Sequence, residues 1–310
     1  MTFSTPTQTI DGRLVGPARR PLQMLAEQDI GGQTSVHDGA QAVGLGLTGA
    51  PIEGPTHFSQ FDPLCVEVFG AEWFTRGCIS AHFQNMVVEG DEVIAQLSGI
   101  DTSAASARID AAKGDGTPVL TGTVTLGDGV ATELDERRAR LAERPVGDLF
   151  IIDQIAADHV GVAQQPVGVT VDLDTRNGPL YPFSLTEKLD AITERSPWFD
   201  QESPWGGPVL PTEMLSVLAF QRTPPLPIRR PSIGLFIDLE VRYVDGPVFV
   251  DRRYEVTHTV LQVGQSRAVE SWWTEAVVRD ADSGAHAATV LLHQGVFKAS
   301  YPEYPTAPAS

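Results

Sequence analysis

Residues 49–58, GAPIEGPTHF, return in altered form as residues 206–214, GGPVLPTEM. In both stretches a Gly-Pro or Ala-Pro turn leads to a Pro-Thr pair and then to an apolar run. The Pro-Thr pairs are 156 residues apart, and the same offset separates VEG at residues 88–90 from VDG at residues 244–246. Similarity at one long offset is typical of a duplicated unit. The chain is therefore predicted to contain two copies of one fold.

Each copy is predicted to hold one buried helix followed by four antiparallel strands. The helices correspond to the apolar runs 58–69 and 214–220, where Pro suits the first turn and the Thr hydroxyl can cap the N-terminus. The strand patterns are bounded by Gly, Asp and Ser turn residues. The predicted strands are 79–88, 92–99, 106–112 and 119–126, then 235–244, 248–263, 268–280 and 286–298.

The predicted boundaries follow from this order. The first unit covers residues 15–130 and the second covers residues 146–300. Between them, residues 131–145 (ATELDERRARLAERP) pair opposite charges four residues apart and indicate a solvated linker helix. Residues 301–310 are rich in Pro and are predicted to form a loosely held tail.

Composition limits the partners. The 310 residues carry a formal net charge of −18, which would repel a phosphate backbone, so nucleic acid is excluded as an expected partner. No apolar run reaches the length of a membrane span, and the N-terminus has no signal-peptide pattern. The two cysteines are too few for a disulfide framework, so we expect a cytoplasmic protein without a metal or cofactor.

One helix wrapped by a long antiparallel sheet, present twice in one chain, resembles the α+β double hotdog fold. The stretch Val36-His37-Asp38, with Ala42, Gly46 and the Gly-initiated residues 49–54, resembles the active-site segment of MaoC-like hydratases and dehydratases. That family has an Asp five residues before its His, whereas this chain has Gly32. The resemblance implies an acyl thioester of coenzyme A or of a carrier protein as substrate, and it is compatible with a homodimer.

His57 and Glu213 follow the two Pro-Thr pairs and are the first candidates for acid/base catalysis. In hotdog proteins the thioester generally lies between two units, near the start of a central helix. There, free backbone N–H groups could hold an oxyanion. An imidazole and a carboxylate in an apolar tunnel could exchange protons near neutral pH. The alternative is structural, with a hydrogen-bonded His57 and a Glu213 that favours a helix N-terminus.

The resemblance adds further candidates. His37 lies in the hydratase-like stretch and is a candidate general base, or else a surface histidine beside Asp38. Asp62 lies eight residues after Gly54, as the acidic residue of hotdog thioesterases does, although Pro63 is expected to end the helix there. Residues near His57 and Glu213, at the two predicted helix starts, are also expected to contact the substrate. These residues are Gly54, Thr56 and Thr212.

Arg229 and Arg230 form a paired cationic loop in an otherwise acidic chain. An arginine side chain can bind a phosphate through two hydrogen bonds, so this loop is a candidate site for a phosphate of coenzyme A or of a carrier protein. A solvated turn is the alternative.

The sequence is compatible with three functions. The chain could hydrate or dehydrate an acyl thioester, hydrolyse one as a thioesterase does, or bind acyl groups without catalysis. The missing Asp at Gly32 favours the third function, and the paired positions of His57 and Glu213 favour an enzyme.

Overall fold

A computed structural model describes residues 2–30, 36–37, 39–44 and 49–305. Its strands form one antiparallel sheet of eleven strands in the order β1-β2-β4-β5-β6-β3-β8-β11-β10-β9-β7. The strands are β1 (Gln8–Ile10), β2 (Arg13–Val15), β3 (Gly77–Phe83), β4 (Val93–Asp101), β5 (Ser106–Lys113), β6 (Pro118–Leu126), β7 (Val167–Val169), β8 (Gly234–Tyr243), β9 (Tyr254–Gln265), β10 (Val269–Asp280) and β11 (His286–Phe297).

The described helices are short. The α-helices are α1 (Gly39–Gly44), α2 (Asp62–Phe69), α3 (Trp73–Arg76), α4 (Glu133–Ala142), α5 (Asp153–Asp158), α6 (Leu185–Ala191) and α7 (Met214–Phe220). The 3₁₀ helices are Gly54–Gln60, Gly70–Glu72, Pro197–Phe199 and Lys298–Ser300.

The duplication is visible in the strand order. Strands β3 to β6 of the first copy lie in the sheet as β4-β5-β6-β3, and β8 to β11 of the second lie in the mirrored order β8-β11-β10-β9. The copies meet where β3 pairs with β8, from Cys78 opposite Arg242 to His82 opposite Asp238. One apolar cluster holds core residues of α2, α7 and both sets of strands. The predicted α+β double hotdog architecture is confirmed.

Several local predictions are wrong. Pro63 lies in the first turn of α2 and begins this helix instead of ending it, because its missing N–H is not needed there. The single helix predicted over residues 58–69 is divided between the 3₁₀ helix Gly54–Gln60 and α2. The second strand of copy two begins only at Tyr254. The predicted loose tail is partly packed, because Tyr301 is buried and the Tyr304 hydroxyl donates to Glu270.

The face of the sheet away from α2 and α7 carries a buried ionic cluster at the junction. Asp238 Oδ1 lies 2.7 Å from His82 Nδ1, and Asp238 Oδ2 lies 2.6 Å from His293 Nδ1. Arg137 of α4 lies 2.9 Å from the same carboxylate. Burial opposes ionisation of Asp238, but the hydrogen bonds from His293 and His82 outweigh it and hold its pKa below the ordinary value. The cluster therefore ties α4 to both copies.

A second buried carboxylate joins the copies on the helical face. Asp62, at the start of α2, accepts hydrogen bonds from the Thr212 hydroxyl at 2.5 Å and from Trp73 Nε1 at 2.8 Å. Thr212 belongs to the second copy, so its hydroxyl links the two copies. The prediction that this hydroxyl caps the N-terminus of α7 is wrong. Burial raises the pKa of Asp62 to about 7.

We expect Asp62→Ala to lower the free energy of unfolding by at least about 2 kcal/mol. The change leaves the Trp73 indole N–H and the Thr212 backbone N–H without their acceptor in the core, and each buried donor left unpaired costs roughly 1–3 kcal/mol. Urea unfolding followed by tryptophan fluorescence measures the loss. Asp190→Ala, which removes an exposed carboxylate from α6, is the matched control and should change stability by less than about 0.5 kcal/mol. Equal effects of both changes would contradict the proposed bridge.

Candidate active site

A cavity of about 410 Å³ lies between the two copies on the helical side of the sheet. Its floor crosses five neighbouring strands, from the first copy into the second, and most of its lining is apolar. The floor includes, in strand order, Val119 of β6, Phe83 of β3, Phe236 of β8, Gln294 of β11 and Trp272 of β10. The cavity thus exists only because the sheet is continuous from β6 to β10.

The 3₁₀ helix Gly54–Gln60 and the residue before it contribute two titratable side chains to the wall. Glu53 immediately precedes this helix and His57 lies within it, and both side chains line the cavity. A Cβ on Gly54 would lie 2.8 Å from the Phe83 ring, so glycine permits the helix start to approach the floor. The repeated Gly-Pro segment therefore places two titratable groups over β3.

Glu53 is 6% exposed, and burial raises its pKa to about 7, against the attraction of Lys188. Among the described residues, nothing hydrogen-bonds its Oε1. A carboxyl group in such a place takes up and releases protons near neutral pH, because the apolar surroundings disfavour its charged form. Glu53 is thus the carboxyl group of the cavity best placed to transfer a proton.

His57 is 3% exposed, and burial followed by the positive charge of Lys188 lowers its pKa to about 4. The imidazole is therefore neutral at physiological pH. Its Nδ1 lies 3.5 Å from the Gln60 amide nitrogen, one turn further along the helix. Glu53 and His57 provide a carboxyl group with a raised pKa beside an imidazole with a lowered one.

Lys188 of α6 acts on both His57 and its repeat equivalent, Glu213. Its Nζ lies 2.9 Å from Glu213 Oε2 and donates to the Thr56 hydroxyl at 3.2 Å. Burial raises the pKa of Glu213. Glu213 is buried and is not among the residues that line the cavity, and Lys188 supplies the partner that a buried carboxylate needs. Both repeat-equivalent positions thus adjoin one ammonium group, but only His57 reaches the cavity.

His37 also lines the cavity, with Nδ1 2.8 Å from the Pro51 carbonyl oxygen and burial lowering its pKa. The other positions of the hydratase-like stretch, Gly32, Asp38 and Gly46, lie outside the described residues. His37 is therefore a cavity residue whose neighbourhood the structure describes only in part.

The remaining candidates are distributed differently. Gly54 lines the cavity, whereas Thr56, Asp62 and Thr212 do not. The Thr56 hydroxyl accepts from Lys188, and the Thr212 hydroxyl donates to Asp62. Arg229 and Arg230 are exposed, and Arg229 pairs with Asp153 at 2.6 Å. Ile228, beside this arginine pair, belongs to the lining, so the pair lies next to the cavity rim.

Sequence reasoning missed Glu53 and Lys188. Glu53 stands in the stretch that shows the repeat, but the second copy is one residue shorter there and has Leu210 in place of Glu53-Gly54, so a comparison of the copies does not single it out. Lys188 lies in a segment without a visible match in the first copy. A buried lysine is recognisable only when the structure shows its partner, here Glu213.

The described residues contain no cluster of three or more His, Cys, Asp or Glu side chains placed to hold a metal ion. None of the helices in the described ranges has both the length and the apolar character to cross a bilayer.

No protein-family model matches the sequence, and no curated protein matches it. Among solved structures, the chain is similar to a protein described as a MaoC domain dehydratase from Chloroflexus aurantiacus, at 13% identity and a TM-score of 0.49, over 96% of this chain and 95% of that one.

Two further structures are similar over 95% of this chain. One is the dehydratase domain of a mycocerosic acid synthase-like polyketide synthase, at 13% identity, 95% of its length and a TM-score of 0.47. The other is a tesB protein of Mycobacterium avium subspecies paratuberculosis, at 11% identity, 96% of its length and a TM-score of 0.44. Dehydratases and a tesB protein thus occur side by side among the similar structures, and the likeness assigns no reaction to this chain.

We expect Glu53→Gln to raise stability in alkaline solution. The folded pKa of Glu53, about 7, exceeds the ordinary 4.5, so its ionisation destabilises the folded state progressively between these pH values and constantly above them. A shift of this size corresponds to about 3 kcal/mol at about 1.4 kcal/mol per unit. Urea unfolding should therefore show the variant up to about 3 kcal/mol more stable at about pH 8, with a smaller gain at about pH 5.

Glu89→Gln is the matched control, because Glu89 is exposed and its replacement should change stability by less than about 0.5 kcal/mol. A Glu53→Gln variant that is less stable than the parent at about pH 8 would show that the folded state stabilises the carboxylate.

Proposed function

We propose that this protein adds water to, or removes water from, an acyl thioester at the carbon–carbon bond next to the thioester carbonyl. The acyl group would occupy the cavity between the copies. One observation carries the proposal: two buried titratable side chains, Glu53 and His57, lie four residues apart in the wall of a mostly apolar cavity. Dehydration can use two such groups, because one proton leaves a carbon atom while another joins the departing hydroxyl.

The pKa directions suggest the role of each group. Neutral His57 accepts the proton from the carbon next to the carbonyl, and protonated Glu53 donates to the departing hydroxyl. Both required protonation states coexist between the pKa of His57, about 4, and that of Glu53, about 7. Hydration uses the same groups in reverse, with the Glu53 carboxylate taking the proton of water.

Neighbouring groups would support these roles. An amide can present its oxygen in place of its nitrogen, and the Gln60 oxygen accepting from Nδ1–H would leave His57 Nε2 free to take a proton. Lys188 lowers the pKa of both Glu53 and His57 and is in turn held by Glu213. Lys188 and Glu213 are therefore positioning residues in this proposal.

The thioester would be oriented by backbone and surface groups. Gly54 presents backbone without a side chain to the cavity, so N–H groups at this helix start can approach the thioester oxygen. Arg229 and Arg230, beside the rim residue Ile228, are placed to meet phosphates of coenzyme A or of a carrier arm.

We expect His57→Ala and Glu53→Gln each to lower turnover by at least about 100-fold, because loss of a positioned acid or base typically costs about 10²–10⁴ in rate. The assay incubates enoyl, 3-hydroxyacyl and saturated acyl-CoA and follows products by mass spectrometry. Gain or loss of water supports the proposal, whereas free thiol indicates hydrolysis and no change indicates a binding protein.

His286→Gln is the control, since His286 contacts Thr289 and does not line the cavity. His37→Ala tests the family analogy. If that variant is inactive while His57→Ala and Glu53→Gln stay near the parent, the chemistry belongs to the hydratase-like stretch and the assignment is wrong.

The pH dependence of kcat/KM provides a separate prediction. In the dehydration direction the rate should rise as His57 loses its proton near pH 4 and fall as Glu53 loses its proton near pH 7. In Glu53→Gln the residual activity should lose the fall near pH 7, because the amide does not titrate. A parent enzyme with a flat profile between about pH 5 and about pH 9 would contradict the assigned proton donor.

A further inference from the structure

Tyr181 adds a phenol to the cavity wall that carries the acid/base groups. The residue lines the cavity and is 4% exposed. Its hydroxyl makes no hydrogen bond with a described residue, and this oxygen is not among the buried polar atoms that have lost all contact with cavity and solvent. A phenol both donates and accepts hydrogen bonds. The cavity therefore offers a ligand one hydroxyl group that the protein itself does not use.

The backbone that carries this hydroxyl is held in a tight turn that begins at Asn177 and ends at Phe183. The Phe183 backbone N–H donates to the Tyr181 carbonyl oxygen at 2.8 Å, and the Asn177 side-chain amide donates to the Phe183 carbonyl oxygen at 2.8 Å. Gln28 and Asp29 of the first copy also donate to carbonyl groups of this turn. A group on such a support is positioned before a ligand arrives.

The turn is connected to the 3₁₀ helix Gly54–Gln60 by a series of contacts. The Tyr181 ring packs edge-on against the Phe183 ring, with 6.2 Å between the centroids. Lys188 Nζ lies 5.3 Å from the centre of the Phe183 ring and donates to the Thr56 hydroxyl of that helix at 3.2 Å. Tyr181 thus adjoins the part of the wall in which the acid/base groups lie.

The charge of Glu53 acts on the Tyr181 hydroxyl. Burial and then this negative charge raise the pKa of Tyr181 well above its ordinary value. No hydrogen bond joins the two side chains, so they interact through space. The phenol therefore stays neutral at physiological pH, and it can orient an oxygen-bearing group by hydrogen bonding without competing with Glu53 for the proton.

We propose that Tyr181 contacts the substrate, and that its hydroxyl and the Glu53 carboxyl group together hold the oxygen atom that is added to or removed from the acyl chain. This oxygen is bonded to the third carbon, counted from the thioester carbonyl. This inference rests on the proposed function, because it assumes that an acyl thioester reacts in the cavity.

The proposed contact gives each proton a place in the reaction. In dehydration the substrate hydroxyl donates to the Tyr181 oxygen, which directs a lone pair of the substrate oxygen toward the Glu53 proton. His57 takes the proton from the second carbon, and the electrons of that C–H bond form the double bond. The C–O bond breaks as Glu53 gives up its proton, and its electron pair leaves with the oxygen as water. In hydration the water donates to Tyr181 and to the Glu53 carboxylate, so a lone pair remains to attack the third carbon.

The test measures dissociation constants by calorimetry at about pH 6, where Glu53 keeps its proton. The probes are S-alkyl thioethers of coenzyme A in a series of chain lengths. A methylene group replaces their carbonyl, so they can neither hydrolyse nor lose water. Each chain is used without a hydroxyl and with a hydroxyl of either configuration on the third carbon.

We expect the parent to bind one hydroxyl form at least about fivefold more tightly than the unsubstituted thioether, the difference that one net hydrogen bond gives. Tyr181→Phe keeps the ring and should abolish most of this preference, with the affinity for the unsubstituted thioether unchanged. With 3-hydroxyacyl-CoA the same variant should lower kcat/KM for water removal by about tenfold. This rate decides the question if the thioethers bind too weakly to measure.

Tyr304→Phe is the matched control, because it removes a phenol hydroxyl that donates to Glu270 outside the cavity lining, and it should retain the preference. Glu53→Leu removes the other group that holds the oxygen. It should also lower the preference, and it replaces Tyr181→Phe if thermal unfolding shows that this variant does not fold.

The outcomes separate the contact from the reaction. A parent without the preference, a Tyr181→Phe variant that retains both the preference and the parent rate, or equal weakening of all thioethers overturns the proposed contact. If the parent nevertheless adds or removes water, as mass spectrometry of its products would show, the proposed function stands. A parent that releases only free thiol, or that leaves every acyl-CoA unchanged, refutes the proposed function and the contact with it.

Discussion

The pairing of β3 with β8 is the contact on which the rest of the molecule depends. It makes one sheet from two, and it brings α2 and the 3₁₀ helix before it into one core with α7. The bridge from Asp62 to Thr212, the hydrogen bond from Lys188 to Thr56 and the cavity floor all cross this junction. Because buried polar groups need hydrogen-bond partners, the two hydrogen bonds also fix how the copies lie against each other.

The sequence predicts the architecture well because each pattern that indicates it occurs in both copies. Turn residues, strand patterns and the Pro-Thr pairs occur twice, so a weak signal in one copy is supported by the other. Boundaries that depend on local backbone chemistry are less predictable. A proline such as Pro63 is compatible both with the end of one helix and with the first turn of the next. Which of the two applies depends on where the preceding 3₁₀ helix ends.

The site is predicted only in part, for a related reason. His57 was found because it stands at a repeated position, and it reaches the cavity. Glu213 stands at the matching position of the second copy, but this match did not predict its surroundings. Its ion-pair partner, Lys188, belongs to a segment that lies outside the repeated stretches. The comparison of copies also missed Glu53, since the copies differ there. Burial, and with it the pKa of each group, is a property of the assembled sheet that residue types and spacing do not contain.

The second copy has only aliphatic residues, Val209 and Leu210, where the first has Glu53, and this difference decides how many sites the molecule can have. Two identical copies joined edge to edge would present two symmetric clefts with the same groups. Here the equivalent of the carboxyl group is an aliphatic side chain, and the equivalent of the imidazole is neutralised by a lysine. The duplication has therefore doubled the scaffold without doubling the Glu53–His57 constellation, and the second copy is free to diverge as a wall, as a partner for the first, and as the far end of a single chamber.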